Sequence, residues 1–432
     1  MPIQYDDPQR SFAVSAVRIL RQEGFAALWA GGCVRDQLLG KIPKDYDVAS
    51  TATPADVIRI FGKRRTIPVG ASFGVVMVLG PDKAAGEIEV ATFRSDGEYH
   101  DGRRPTSVQF CRPEEDAQRR DFTINGMFFD PIEETLIDYV GGREDLAAGV
   151  VRAIGNPVAR FTEDKLRMLR AVRFTATFGF ALDAATADAV RELKQQLHQV
   201  SVERIAQELK RMLSHPSRAQ AFQLLQDTSL LAEVLPEVCE DNAAGKAELI
   251  STGQTMQHLE STQFEPAFAL ILQSSHRAMA RSLLKSGTPL VIGVCRRLKL
   301  SNEETDCICW LLESLPVLED IRIQPLHVRK PLLAHRHFEL LLQVSAAIAA
   351  AGNRVPTEVQ FCRDYLSSLI GDELCPPPLV DGQDLKALNV PAGPAFRVLL
   401  SIIRNEQLDE ILTTRTAALL RLRELVNVGA VG

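Results

Sequence analysis

The chain has 432 residues, more than one hydrophobic core ordinarily supports, so we expect at least two domains. Its 46% hydrophobic and 24% charged residues are typical of a globular protein in water, and without an apolar run of about 18 residues we predict no membrane-spanning helix. The formal net charge of −6 excludes a general nucleic-acid coat, although basic residues cluster in the first part of the chain. The polar, acidic N-terminus predicts no cleaved signal, and eight scattered cysteines favour a reduced, cytoplasmic protein.

Strand and helix patterns alternate in the first part of the chain. Apolar residues with helical spacing predict a helix at 8–22, Thr53 followed by Pro54 predicts the start of another, and a third is predicted at 114–123. Runs of β-branched and apolar residues predict strands at 26–30, 45–50, 66–69, 74–79, 87–93, 107–111 and 135–139.

The strand patterns cease after Val158, and long helical patterns follow at 164–177 and 201–213 and then from 216 to about 360. Gly179 predicts the end of the first of these helices, and three prolines at 376–378 mark a break before the last helical segment. We therefore expect an α+β fold, in which an N-terminal domain with a mixed sheet and helices is followed by all-α segments.

Two aspartates close the short segment 31–47, GGCVRDQLLGKIPKDYD. If 45–50 is a strand, Asp45 and Asp47 lie on one face and repel each other unless a cation lies between them. Oxygen ligands at this spacing suit Mg²⁺, which takes one or two carboxylates together with substrate phosphates. The preceding glycines allow a bulky group to approach the backbone closely, so the segment predicts a site for a metal-bound triphosphate.

Glu89, in the stretch EIEVATFR, is the third acidic candidate. On a strand, Glu87, Glu89 and Ala91 share one face, so Glu89 is a candidate to join Asp45 and Asp47 at the metal. The alternative is that Glu89 is a solvent-facing strand residue.

The stretch 161–174, FTEDKLRMLRAVRF, carries one charged residue at every third position, beside a parallel apolar row. The charged residues of this row are Asp164, Arg167, Arg170 and Arg173. An ion pair three residues apart explains the first two, but the whole row exceeds what helix stability requires.

The motifs taken together resemble the class II nucleotidyltransferases: GGCVRD with DYD, EVATFR, RRDFTIN, IDYVGGREDL and EDKLRMLRAVRF. This family comprises the CCA-adding enzymes of tRNA, their CC- and A-adding relatives, and bacterial poly(A) polymerases. The motifs run in order from 31 to 174, 201–213 resembles the neck helix that follows, and VDGQDLKALNVPAGPAF resembles the tail. The resemblance implies a nucleotidyltransferase palm at 1–150, a nucleotide-selecting neck at 151–215, an RNA-binding body at 216–360 and a tail at 361–432.

By position, the resemblance implies that Asp45 and Asp47 are Mg²⁺ ligands and that Gly32 and Arg35 lie at the nucleotide phosphates. It also implies the residues that bind the incoming nucleotide, which are Arg120, Asp164, Arg167, Arg170 and Arg173. The family usually has alanine after the asparagine of RRDFTIN, whereas this chain has Gly126 after Asn125. This departure raises the question of how Asn125 is oriented.

The resemblance implies a template-independent enzyme that adds CMP and AMP from CTP and ATP to the 3′ end of tRNA by two-metal phosphoryl transfer, releasing pyrophosphate. The stretch 69–74, VGASFG, lacks the two arginines of the G-R-R-F run of bacterial poly(A) polymerases, and 95–107 supplies a loop that CC-only relatives lack. The first observation argues against a poly(A) polymerase and the second weakens a CC-only enzyme. An A-adding enzyme, a bacterial poly(A) polymerase and, less favoured, a catalytically inactive RNA-binding protein are the alternatives. Loss of Asp45 or Asp47 would mark the inactive form, and both are present. We expect tRNA, CTP and ATP as partners and no membrane, while the sequence does not indicate an oligomeric state.

Cytosine and adenine share a pattern on their Watson–Crick edges, an amino donor beside a ring-nitrogen acceptor. Uracil and guanine present the reverse. One carboxylate and one guanidinium can therefore read both accepted bases, because the first only accepts and the second only donates hydrogen bonds. Asp164 and Arg167, three apart on a predicted helix, are the expected pair.

Overall fold

The computed structural model describes residues 7–70, 74–96, 108–239, 243–283, 287–368, 374–391 and 393–427. The chain divides into two compact units, Met1–Cys239 and Glu240–Gly432. In the described part of the chain, all strands belong to the first unit and the second contains helices only, which confirms the predicted α+β fold class. The finer division into palm, neck, body and tail stays a prediction. No helix among the described residues combines the length and apolar character needed to cross a membrane.

The strands of the first unit follow the predicted order. They are β1 Ala27–Ala30, β2 Asp47–Ser50, β3 Thr66–Gly70, β4 Val75–Leu79, β5 Glu87–Thr92, β6 Arg94–Asp96, β7 Val108–Phe110, β8 Phe128–Asp130, β9 Thr135–Ile137, β10 Val150–Val151 and β11 Ala181–Leu182. Within the described residues, seven of them form a mixed sheet in the order β3-β4-β5-β2-β1-β8-β9, in which only β2 and β5 are parallel neighbours. The short β11 pairs with β10, so the prediction that strands end before residue 160 is wrong at this point.

One face of the sheet is buried and the other is open at β5. Ile88 and Val90 are each 1% exposed, because helix α3 (Pro54–Phe61) packs on that side. Glu87 and Glu89 alternate with them and are exposed. In the parallel pair of β2 and β5, Asp47 is the register partner of Glu89, so the two carboxylates lie side by side on the open face.

The remaining helices of the first unit are α1 Pro8–Gln22, α2 Gly32–Leu38, α4 Pro113–Gln118, α5 Gly142–Ala148, α6 Pro157–Glu163, α7 Arg167–Phe178, α8 Ala184–Leu193, α9 Val202–Leu213, α10 Arg218–Asp227 and α11 Leu230–Val234, with 3₁₀ turns at Thr123–Asn125, Lys194–Gln199 and Pro236–Val238. Helix α1 has the predicted bounds, and α3 begins with a capping box between Thr53 and Asp56. Gly179 ends α7 in the left-handed conformation, as predicted.

Two predicted helices are wrong in extent. The helix predicted at 114–123 ends at Gln118, because the following residues pair with another segment: the amide of Thr123 donates to the carbonyl of Arg152, 3.0 Å away. The helix predicted at 164–177 begins only at Arg167. Asp164 has an extended backbone, and its Oδ1 accepts a hydrogen bond from the amide of Leu166, which separates α6 from α7.

The described helices of the second unit are α12 Ala243–His258, α13 Phe264–Leu283, α14 Thr288–Arg297, α15 Asn302–Glu319, α16 Leu326–Leu333, α17 Phe338–Ala351, α18 Thr357–Ser368, α19 Gly382–Ala387, α20 Pro394–Leu408 and α21 Arg415–Asn427. The last three share a core that includes Leu385, Ile403 and Leu422. The helical character predicted from 216 to about 360 is confirmed.

Candidate active site

A cavity of about 480 Å³ in the first unit brings together eight of the ten predicted site residues. Its lining comes from the start of α2, from β2, from the segment after α4, and from α7 and α9. The lining residues are Gly31, Gly32, Arg35, Asp45, Asp47, Arg119, Arg120, Asp121, Asn125, Asp164, Leu166, Arg167, Arg170, Phe174 and Arg204. Six arginines and four aspartates give this lining a formal surplus of positive charge, which favours a ligand with several negative charges.

The candidate metal ligands lie at one side of this cavity. Asp47 is the first residue of β2, but Asp45 precedes the strand, so the prediction that both belong to one strand is wrong. Burial raises the pKa of Asp47 to about 7, with further contributions from the nearby charges of Asp45 and Glu89, while Arg120 lowers it. Glu89 is not part of the cavity lining.

This donor set fits a hard divalent cation. Carboxylates that repel each other across a partly buried space are stabilised when a cation neutralises them. Among the residues that the structure describes, no three His, Cys, Asp or Glu side chains are arranged to hold a metal ion by themselves. Two carboxylates that leave positions for substrate phosphates match the coordination of Mg²⁺ better than a closed protein site does.

Gly31 allows an arginine to approach the turn before α2. Its φ of 73° lies in the left-handed region that favours glycine, and an added Cβ would lie 3.1 Å from Nη1 of Arg120. At Gly32 an added Cβ would make only an ordinary contact, 3.7 Å from Nη2 of Arg35. The steric requirement for glycine is therefore at Gly31.

Asp116 holds the two adjacent arginines of the RRD motif, a role that the sequence motifs did not predict. Its side chain is 1% exposed; Oδ1 accepts a hydrogen bond from Arg119 at 2.6 Å, and Oδ2 accepts one from Arg120 at 3.0 Å. Burial raises the pKa of Asp116, but Arg120 and Arg119 outweigh it and leave the pKa below its ordinary value. The spacing of three and four residues from an acid to two arginines on a helix was the signal available in the sequence.

Asn125 is oriented by hydrogen bonds on both sides of its amide group. Its Nδ2 donates to Asp121 Oδ1 at 3.0 Å, and its Oδ1 accepts a short hydrogen bond from Arg35. The next position, Gly126, requires glycine, because an added Cβ there would lie 2.7 Å from Cγ2 of Val140. The departure from the family pattern is thus a packing requirement of this chain, and Asn125 stays fixed.

The buried Asp121 forms an ion pair with the partly exposed Arg170, whose Nη2 lies 2.6 Å from Oδ2. Burial raises the pKa of Asp121, but Arg170, the hydrogen bond from Asn125 and the charge of Arg167 lower it, so that it is about 2. This ionised pair fixes Arg170 at the cavity wall.

Asp164 pairs with Arg204 and not with Arg167. The two nitrogens Nη1 and Nη2 of Arg204 donate to Oδ1 and Oδ2 of Asp164 at 3.2 and 2.8 Å. Arg167 donates instead to Glu163 at 2.8 Å and to two backbone carbonyls. The alternative of an ion pair between Asp164 and Arg167 is therefore wrong, and Asp164 lies before α7 rather than on it. Their role as the pair that reads the base stays a prediction, and both residues line the cavity. Arg204 was missed because its only signal in the sequence was its place near the start of an amphipathic helix.

Arg173 lies outside the cavity lining. Its Nε donates to Glu208 of α9 at 2.6 Å, and the Glu208 side chain is 1% exposed. Each step of three residues along an α-helix rotates the side chain by roughly 60°, so Arg173 points about 120° away from Arg167. The regular spacing that placed Arg173 with the nucleotide-binding residues instead directs it towards α9.

Two stretches used to distinguish relatives lie partly outside the described residues. These are 71–73 of the stretch VGASFG and 97–107 of the predicted loop.

Two family models match the chain. Residues 27–152 match the poly A polymerase head domain, and residues 179–241 match the probable RNA and SrmB-binding site of polymerase A. Similar curated proteins are the CCA-adding enzymes of Geobacillus stearothermophilus, 45% identical over 221 residues, and of Lactobacillus helveticus, 36% identical over 309 residues. The first match covers 51% of this chain and 53% of the relative, and the second covers 71% and 72%. The matched region thus spans about half the length of the Geobacillus relative.

Solved structures match over nearly the whole chain. The Bacillus stearothermophilus CCA-adding enzyme in complex with CTP is 30% identical, with a TM-score of 0.76 and coverage of 98% of this chain and 99% of that one. The Thermotoga maritima CCA-adding enzyme complexed with tRNA is 20% identical, with a TM-score of 0.62 and coverage of 98% and 97%. At that identity, the second likeness shows the fold alone.

Proposed function

We propose that this chain, which belongs to the bacterial CCA-adding enzyme family of class II nucleotidyltransferases, adds CMP and AMP from CTP and ATP to the 3′ end of tRNA and releases pyrophosphate. The observation that carries the proposal is the meeting of Asp45 and Asp47 with six arginines in one cavity. A similar protein of known structure binds CTP, and another was solved with tRNA. We place the reaction in the cytoplasm.

The chemistry of this family is metal-dependent, and we propose Mg²⁺ as the metal. Asp45 and Asp47 would hold it, with Glu89 beside them as a third carboxylate on the open sheet face. When bound as a pair, the ions would activate the RNA 3′-hydroxyl and stabilise the leaving pyrophosphate.

The protein's own residues position the reactants and balance their charge. Arg119 and Arg120 are fixed by Asp116, so their guanidinium groups need little reorganisation when an anion enters the cavity. Arg35 is 8% exposed and is held by Asp36 and Asn125. We assign Arg35, Gly32 and the RRD arginines to the triphosphate end of the nucleotide.

We assign the selection of cytosine and adenine to Asp164 together with Arg167. Arg204 occupies both carboxylate oxygens of Asp164 and orients the group, and the amide of Leu166 takes a further position. A carboxylate has about four lone-pair positions, so Asp164 retains capacity for the amino group of one base. A base that presents an acceptor to Asp164 would leave buried polar groups unpaired. Sites of this kind reject such analogues by as much as roughly 10⁴-fold.

The test uses radiolabelled CTP and ATP with tRNA transcripts that end in the discriminator base, in CC or in CCA. We expect addition of CCA to the first, of A to the second and of nothing to the third. Addition of A only to the CC-ending transcript would identify an A-adding enzyme, long A tails would identify a poly(A) polymerase, and no incorporation would leave an RNA-binding protein.

A further inference from the structure

Two exposed lysines and one histidine form a basic patch just outside the cavity. Lys41 and Lys44 lie between α2 and β2, and His215 lies in the turn between α9 and α10. Within the described residues, neither lysine forms an ion pair with a carboxylate. The patch differs in this respect from the arginines of the cavity, most of which are held by acids.

The charges of Lys41 and Lys44 act on His215 although the three residues come from separate segments. The pKa of His215 is lowered, first by partial burial and then by the charges of Lys41, Lys44 and Arg218. Ser217 donates its backbone amide to Nδ1 of His215 at 3.2 Å, and its Oγ lies 2.7 Å from the same nitrogen. The patch thus offers two cations, whose charge attracts an anion.

The patch adjoins the catalytic side of the cavity. Lys44 directly precedes Asp45, which lines the cavity, whereas Lys44 itself does not. The Nζ of Lys41 lies 5.4 Å from the ring centroid of Phe178, and the guanidinium of Arg35 lies 4.5 Å from the same centroid. Lys41 and the cavity residue Arg35 thus lie near the same ring, so an anion on the patch would lie next to the cavity, whose lining includes neither lysine.

We propose that Lys41 and Lys44 bind the backbone phosphates of the RNA strand whose 3′-hydroxyl is extended. This inference rests on the proposed function and adds to it a binding site for the substrate strand. The cavity already offers Arg35, Arg119 and Arg120 to a triphosphate, and a strand that places its terminal hydroxyl near Asp45 must place its preceding phosphates outside. Lysines contact phosphate as point charges and read no sequence, which suits a strand that differs between tRNAs.

The test is the double variant Lys41→Ala and Lys44→Ala. We expect the Kd for a tRNA transcript, measured by fluorescence anisotropy without nucleotide, to rise about tenfold, and the slope of log Kd against log salt to fall by about 1 to 2. The KM for tRNA should rise in parallel, and the KM for CTP should keep the wild-type value. Arginine at both positions should restore tRNA binding, because it preserves the charge.

The matched control is Lys63→Ala with Arg64→Ala, which removes the same charge from exposed residues before β3. In the sheet, β3 is three strands from β2, roughly 14 Å at ordinary strand spacing. A higher KM for CTP with unchanged tRNA affinity would assign the lysines to the triphosphate instead. An equal loss of tRNA affinity in both double variants would mean that the lysines act only through the overall charge of the protein. Because the binding assay needs no turnover, an inactive wild type would refute the proposed function and leave this test readable.

Discussion

Replacement of Asp121 by asparagine should lower the free energy of unfolding of the first unit by about 2 kcal/mol at pH 7. The Asp121 carboxylate lies 2.6 Å from Nη2 of Arg170, and its pKa falls from 3.8 to about 2 in the fold. Each tenfold change in the acid dissociation constant on folding corresponds to about 1.4 kcal/mol of differential stabilisation. Asparagine keeps the shape of the side chain but gives Arg170 no charge to pair with.

The effect should depend on pH with a defined sign. Because the folded pKa lies below the unfolded value, the stabilisation is fully present well above pH 3.8 and is lost as the pH falls towards 2. At pH 3 about 1 kcal/mol of it should be lost. The difference between wild type and the Asp121→Asn variant should therefore shrink by about that amount.

The assay is urea unfolding followed by tryptophan fluorescence. The chain has two tryptophans, Trp29, fully buried in the first unit, and Trp310 in the second, so a Trp310→Phe background reports on the first unit. The control is Asp188→Asn, because Asp188 pairs with an arginine while its side chain is 75% exposed, and such pairs contribute at most about 1 kcal/mol. The reasoning is refuted if Asp121→Asn costs no more than this control, or if its cost is the same at pH 7 and pH 3.

Gly126→Ala should destabilise the first unit by about 1 to 3 kcal/mol, because the added Cβ would overlap packed side chains. Gly293→Ala should be neutral or stabilising, because no atom lies within 4 Å of the added Cβ. The urea midpoint of each variant is compared with that of the wild type. Asp164→Ala should raise incorporation of UTP or GTP relative to CTP and ATP in competition assays. Unchanged discrimination would leave Asp164 a structural carboxylate. Deletion of 98–104 should spare CC addition and suppress addition of the terminal A, as read on sequencing gels. An equal loss of both activities would mean that this stretch does not control the change from C to A addition.

The local signals of the sequence were sufficient for most elements. Helix α1 was predicted at its observed bounds, because apolar periodicity acts within a few residues. The structure adds that the side chain of Asp7 caps its start. The break between α6 and α7 was not predictable in this way. It depends on the extended backbone of Asp164, which is held by Arg204 from a helix 40 positions further along the chain.

The candidate site shows the same division. Asp45 and Asp47 were predicted because two carboxylates at short spacing suit a metal-bound phosphate, and Arg120 was predicted from the family resemblance. The structure places all three at the cavity, and their roles stay predictions. The partners that hold them, such as Asp116 and Asn125, were not assigned, because an acid or amide acquires such a role only when folding brings it to its arginine. Regular spacing along the sequence is a weaker guide still. It grouped Arg173 with the nucleotide-binding residues, whereas Arg173 faces the neighbouring helix α9.

The most direct test of the central claim is the activity of the Asp47→Ala variant at saturating Mg²⁺. Burial and then the charges of Asp45 and Glu89 raise the pKa of Asp47, and a cation held by Asp45 and Asp47 would stabilise the charged form. We predict that the variant incorporates neither CTP nor ATP into a tRNA transcript, while its affinity for tRNA stays within a few-fold of wild type. If it retains most of the wild-type turnover, Asp47 does not hold the catalytic metal and the account of the site is wrong.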